Sequence, residues 1–98
     1  MKMNKKELIE EINERIEMLD VVMISINDVS EKEMLQGKMK ALNMIKEEVN
    51  LLDIDPYELA PILEKKFENR ELGIKGSNVR NGFEAIMKEY IDKCKKSN

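Results

Sequence analysis

The chain has 98 residues, 42% of them hydrophobic and 38% charged, which suits one small globular domain and excludes a large enzyme or a long disordered acidic tail. It has no histidine and one cysteine, Cys94, so it lacks the commonest general base and metal ligand and cannot form an internal disulfide. With only 4 glycines and 2 prolines, the composition favours an all-α fold. We expect a non-enzymatic protein with no cofactor and no metal.

The first predicted helix spans residues 5–26. Its apolar side chains recur every three or four positions, at Leu8, Ile12, Ile16, Leu19, Met23 and Ile26. Residues 20–26 are apolar on nearly every face and rich in β-branched side chains, so a strand is the alternative there. In a helix this segment has more apolar faces than one neighbour in the same chain can cover. We therefore predict an oligomer interface that contains Val21, Val22, Ile24 and Ile26.

A second helix is predicted after a short connection at residues 27–29. Ser30 and Glu33 have the spacing of a capping box, which places Ser30 at the N-cap. Gly37 and Ala41, four residues apart, predict a close approach of another helix on that face. Because the connection is short, the first two helices are expected to form an antiparallel hairpin over residues 1–53.

A third helix is predicted to begin at Pro56, with Asp55 as its N-cap. Pro61 lies in the second turn, where its ring opposes the carbonyl four residues earlier. We expect the helix either to kink there or to begin with a separate short turn.

A fourth helix, capped by Ser77 or Asn78, is predicted from an apolar stripe at Val79, Phe83, Ile86, Met87, Tyr90, Ile91 and Cys94. Asn81 and Gly82 form a turn-like dipeptide, so the alternative is a loop over residues 73–82 and a helix beginning at Phe83. Cys94 continues the apolar stripe, although the neighbouring lysines could also activate its thiol. We interpret it as a small buried side chain.

The net charge of −3 hides a division along the chain. Residues 1–64 carry 8 basic and 15 acidic side chains, whereas residues 65–98 carry 9 basic and 5 acidic side chains. We therefore describe residues 1–98 as one domain, with an acidic hairpin at 1–53 and a smaller basic two-helix unit at 54–98. Either this division reflects ordinary solvated faces, or the two halves face different partners.

Residues 70–80 resemble the turn of helix-turn-helix DNA-binding proteins. The resemblance rests on Leu72, Gly73, Ile74 and Val79, while Glu68 and Asn69 depart from the family pattern. It implies a groove-facing surface made of Lys75, Ser77, Asn78, Arg80, Asn81 and Glu84. The same residues could instead surround a small anion such as a nucleotide phosphate. The third interpretation is an ordinary corner between two helices with a glycine C-cap.

These observations favour a non-enzymatic protein-interaction module that acts as a homodimer or higher homo-oligomer. By analogy of size and composition, it resembles phage or mobile-element products that inhibit a host protein. A DNA-binding regulator is the main alternative, and a protein that sequesters an anionic nucleotide is the third. Without an export signal or a long apolar run, we expect a cytoplasmic protein with no membrane partner.

Overall fold

The chain folds into four α-helices in a computed structural model that describes residues 4–69 and 76–96. The helices are α1 (Lys5–Ser25), α2 (Val29–Leu52), α3 (Pro56–Asn69) and α4 (Ser77–Lys96). The all-α fold is confirmed, with an N-terminal hairpin of α1 and α2 and a second pair of α3 and α4. A strand at residues 20–26 is wrong because α1 stays helical to Ser25, and a helix beginning only at Phe83 is wrong because α4 begins at Ser77.

The start of α2 differs from the prediction. The helix begins at Val29, so Asp28 and not Ser30 is the N-cap. The Asp28 carboxylate accepts hydrogen bonds from the amides of Ser30, at 2.8 Å, and Glu31, at 3.4 Å. A carboxylate at this position also interacts favourably with the positive end of the helix dipole. Asp28 therefore sets where α2 begins.

Replacing Asp28 by alanine is expected to lower the free energy of unfolding by about 1 kcal/mol, because two amides of the first turn lose their acceptor. Ser30→Ala should change it by less than about 0.5 kcal/mol, since Ser30 contributes only its backbone to the cap. Urea denaturation of both variants measures the difference. A larger loss of stability for Ser30→Ala than for Asp28→Ala would show that Ser30 is the N-cap.

Helix α3 begins at Pro56 as predicted, and at its start the Glu58 amide donates to the backbone carbonyl of Asp55 at 3.0 Å. The helix continues without interruption through Pro61, so a separate first turn is not formed. Proline removes one backbone donor, and only one hydrogen bond of the second turn is lost as a result. Burial of Leu59, Ala60 and Leu63 on the inner face holds the helix in place.

One hydrophobic core joins the two helix pairs. It contains Leu8, Ile12, Ala41, Leu42, Ile45, Val49, Leu59, Ala60, Leu63, Phe83, Ile86, Met87, Tyr90 and Cys94. Only two of these residues, Leu8 and Ile12, belong to α1, and both lie in its first half. In the second half of α1, Ile16 and Leu19 are only partly buried where they pack against the core.

The most extensive helix pairing is between α2 and α4, and it depends on two glycines. A Cβ atom on Gly37 would lie 2.8 Å from the carbonyl carbon of Val79 and would overlap its oxygen. A Cβ atom on Gly82 would lie 2.9 Å from the carbonyl carbon of Met34, again overlapping the oxygen. The backbones of the two helices thus touch at a reciprocal pair of glycines. The close approach predicted for Gly37 is confirmed, with α4 as the partner.

Candidate interaction surfaces

The outer face of α1, directed away from the core, changes character along its length. In the first half it carries four exposed carboxylates, at Glu7, Glu10, Glu14 and Glu17. In the second half three exposed apolar side chains, at Met18, Val21 and Ile24, lie on this face, and a fourth, Val22, lies on its flank. The exposed carboxylate of Asp20 lies beside Ile24. We call these two regions the acidic half and the apolar stripe of α1. The change falls between two consecutive residues, Glu17 and Met18.

The exposure of the apolar stripe is high for side chains of this kind. Ile24 is 85% exposed, Met18 and Val21 are each 68% exposed, and Val22 is 42% exposed. Monomeric proteins expose single apolar residues routinely, but neighbouring ones at helical spacing on one face mark an interaction surface. Of the residues predicted to form an oligomer interface, Val21 and Ile24 therefore share one exposed face with Met18, whereas Val22 lies on the flank of that face.

Ile26, the fourth predicted interface residue, lies elsewhere. It is the C-cap of α1, with extended backbone angles, and its side chain is half-buried. Met18 was absent from the prediction, although its spacing of three residues from Val21 already places it on the same helix face. Beside the stripe, Asp20, Met23 and Ile24 of α1 and Lys32 and Gln36 of α2 line a shallow open groove.

The residues predicted to contact nucleic acid or an anion lie at the start of α4. Ser77, Arg80 and Asn81 share one exposed face, and Asn78 is half-buried. Glu84, which the helix-turn-helix resemblance also implies, is half-buried one turn further along. Lys75 and the residues that carry the resemblance at 72–74 lie outside the described residues. The structure therefore brings three of the five predicted site residues onto one surface.

An acidic side chain lies next to this surface. The Glu33 carboxylate of α2 comes to 3.8 Å from the position that a Cβ atom would occupy on Gly76, immediately before α4. Gly76 itself has a φ of +94°, a conformation that favours glycine. A carboxylate near the free amides of a helix start interacts favourably with the helix dipole and repels an incoming phosphate. The local charge thus disfavours an anion site at the start of α4.

We expect the protein not to bind duplex DNA at about 150 mM salt, because the net charge is −3 and Glu33 lies beside the only predicted contact surface. An electrophoretic mobility shift with random duplex, at low and at physiological salt, measures this. Sub-micromolar, salt-sensitive binding that Arg80→Ala weakens would contradict this expectation and favour the DNA-binding interpretation.

Charged side chains of the acidic and basic segments pair with each other. Lys66 of α3 contacts Glu48 of α2 at 2.5 Å, and two further pairs, Lys93 with Glu11 and Arg15 with Glu89, join α4 to α1. Each exposed pair contributes little by itself. Two of them, Lys66 with Glu48 and Lys93 with Glu11, join basic side chains of the second helix pair to acidic side chains of the hairpin, whereas Arg15 with Glu89 has the opposite sense. Those charges are not free to contact separate partners.

Tyr90 lies at the centre of the contact between α1 and α4. Its side chain is fully buried, and its hydroxyl donates to Glu11 and accepts from Arg15, both at 3.4 Å. The Arg15 guanidinium and the Lys93 ammonium lie 5.5 and 5.4 Å from the ring centroid.

Burial raises the pKa of Tyr90 to about 12. For Arg15, burial alone lowers the pKa, but hydrogen bonds to Glu89 and Tyr90 outweigh it and the net change is upward. At neutral pH the tyrosine is therefore neutral and the arginine charged. This arrangement stabilises the fold and supplies no group poised for proton transfer.

The Cys94 side chain is fully buried, in agreement with its interpretation as part of the core. Burial raises the pKa of its thiol to about 11, more than the nearby Lys93 lowers it. A thiol with this pKa stays protonated at neutral pH and is a poor nucleophile. Within the described residues, no three side chains of His, Cys, Asp or Glu are placed to hold a metal ion together.

Comparisons of the chain with protein-family models, with curated proteins and with solved structures found no match. None of the helices over residues 4–69 and 76–96 has the length and apolar character that crossing a bilayer requires.

Proposed function

We propose that this protein is a non-enzymatic protein-interaction module that acts as a homo-oligomer, with the apolar stripe of α1 as its contact surface. The observation that carries the proposal is the exposure of Met18, Val21 and Ile24, with Val22 on their flank, on a helix whose opposite side already packs on α2. A chain of this size buries a marginal fraction of its surface by itself. Covering the stripe in an oligomer removes apolar surface from water and adds to stability.

Two observations support this function over the nucleic-acid and anion alternatives. The Glu33 carboxylate lies beside the start of α4, and basic side chains of the second helix pair are engaged in ion pairs with the hairpin. Both reduce the positive potential that a phosphate would meet.

The test is the oligomeric state of the wild type and of a matched pair of variants. At about 100 μM, wild-type protein is expected to sediment as a dimer or larger species, and Ile24→Glu as a monomer, because a buried unpaired carboxylate opposes association. Leu51→Glu is the control, since Leu51 is also highly exposed, at 79%, but lies at the opposite end of the hairpin. It should leave the oligomer intact.

A stable wild-type monomer at that concentration would refute the proposal. Equal loss of association in both variants would show that added charge, and not the stripe, is responsible. Circular dichroism of each variant shows whether the helices remain folded, so that a monomer can be distinguished from an unfolded chain.

A further inference from the structure

Helix α1 is attached to the other three helices by less apolar contact than they have with each other. Among the described residues, the core belongs to α2, α3 and α4 except for two side chains of α1, Leu8 and Ile12. Ile9, Ile16 and Leu19 are only partly buried where they pack against it. Separating α1 from the other helices therefore exposes less apolar surface to water than separating α2 from α4.

Long charged side chains supply the contact between α1 and α4. Glu11 pairs with Lys93 and Arg15 with Glu89. Glu11 and Arg15 also reach the hydroxyl of Tyr90, each at 3.4 Å. The side chains of the two ion pairs are 30–43% exposed. Because water competes for such pairs, each holds α1 in place only weakly.

The part of α4 next to α1 contains Tyr90 and Cys94, which are four residues apart on one helix face and are both fully buried. Glu11 of α1 pairs with Lys93, the residue before Cys94. Burial and, to a smaller extent, the charge of Glu11 raise the pKa of the Cys94 thiol against the effect of Lys93. The first half of α1 therefore lies close to Cys94 as well as to Tyr90.

We infer that α1 is a cover that opens as a unit while α2, α3 and α4 stay packed, and that this opening gives solvent access to Cys94. Proteins open locally in cooperative units, and a unit with few buried apolar contacts opens at a lower free energy than the whole chain. At its N-terminal end α1 has one further ion pair, Lys5 with Asp53 at 2.6 Å, and this aspartate is 83% exposed. The inference does not depend on the proposed self-association.

Labelling of Cys94, the single cysteine of the chain, with an aromatic disulfide reagent tests the opening. The thiolate attacks the disulfide of the reagent, forms a mixed disulfide and releases one aromatic thiolate, whose absorbance gives the rate. We expect labelling at least about tenfold faster than the equilibrium of global unfolding allows, with a much weaker dependence on urea. Labelling with the rate and urea dependence of global unfolding would overturn the inference.

Hydrogen exchange of the backbone amides identifies the segment that moves. Cys94 lies two residues before the end of α4 at Lys96, so fraying of that end is the competing explanation for its labelling. If α1 is the cover, its amides exchange together and faster than those around Gly37 and Gly82, where α2 and α4 cross. Labelling of Cys94 while the amides of α1 stay protected to the global limit would overturn the inference in favour of fraying.

A matched pair of variants removes one interhelical ion pair each. Arg15→Gln breaks the pair with Glu89 and is expected to speed the labelling of Cys94 about two- to fivefold, because α1 is held less tightly. Lys66→Gln breaks the pair with Glu48 between α3 and α2, and should leave labelling without urea unchanged. Equal acceleration by both variants would show that global unfolding exposes the thiol, against the inference.

Ile24→Glu is labelled beside the wild type, since a partner on the outer face of α1 would hold the helix closed. Labelling below the global limit in either protein supports the cover, and its absence from both overturns it. Sedimentation of the same two proteins tests the proposed function separately, so a failure of one is distinguishable from a failure of the other.

Discussion

Replacing Gly82 by alanine is expected to destabilise the protein by about 1–3 kcal/mol or more. The added Cβ atom would overlap the carbonyl oxygen of Met34 and approach the Lys38 amide at 3.1 Å. Both are backbone atoms, which cannot rotate away as a side chain could. The two helices would have to separate, and the core between α2 and α4 would lose contacts along its length.

The sign of the stability change caused by Gly82→Ala shows whether the two helices are in close contact at this residue. Glycine-to-alanine substitution inside a helix ordinarily stabilises it by about 1 kcal/mol, because alanine has the higher helix propensity. Asn81→Ala is the matched control, since Asn81 is the preceding residue of the same helix and is exposed. It should leave stability nearly unchanged.

Chemical denaturation of the two variants and of Gly37→Ala tests the helix crossing. Gly37→Ala should resemble Gly82→Ala, because its Cβ atom would overlap the Val79 carbonyl from the other side. The double variant should cost less than the sum of the two, since one separation of the helices relieves both overlaps. A gain in stability for Gly82→Ala would show that the helices are further apart than described.

Tyr90→Ala is expected to cost about 3–5 kcal/mol, the usual range for removing a large buried aromatic ring. The ring lies in the core between α1 and α4, and its loss would leave Arg15 and Lys93 without the surface on which they lie. Tyr90→Phe keeps the ring and removes only the hydroxyl. Because Glu11 keeps Lys93 as a partner and Arg15 keeps Glu89, this variant should cost only about 1 kcal/mol.

The dependence of stability on pH provides a second measurement on the same residue. The pKa of Tyr90 is raised from 10.0 to about 12 in the folded protein, so the neutral phenol is favoured by folding. Its contribution is complete below pH 10 and is lost as the pH rises through about 12. Wild type should therefore lose more stability than Tyr90→Phe between these pH values. Parallel curves for the two proteins would show that the phenol does not titrate in a buried position.

Much of the fold follows from local patterns in the sequence. Apolar side chains at intervals of three and four define all four helices, and Pro56 marks the start of α3 as expected from its fixed φ angle. The N-cap of α2 is harder to predict from the sequence, because Asp28 and Ser30 are both good capping residues and lie two positions apart. Only the backbone geometry at Asp28, extended with its carboxylate over the first turn, decides between them.

The sequence by itself determined the all-α class, the hairpin and the excess of apolar side chains at residues 21–24, because these depend on periodicity within one helix. It could not determine which helix meets Gly37, since that contact joins residues about 45 positions apart. It also could not reveal that Glu11 and Lys93 pair across α1 and α4, so it left open whether the two charged halves are ordinary solvated faces or face different partners. Tertiary packing decided these features. Distant residues come within contact distance only where α2 crosses α4 and where α1 docks on the other helices. The same packing leaves the apolar stripe exposed.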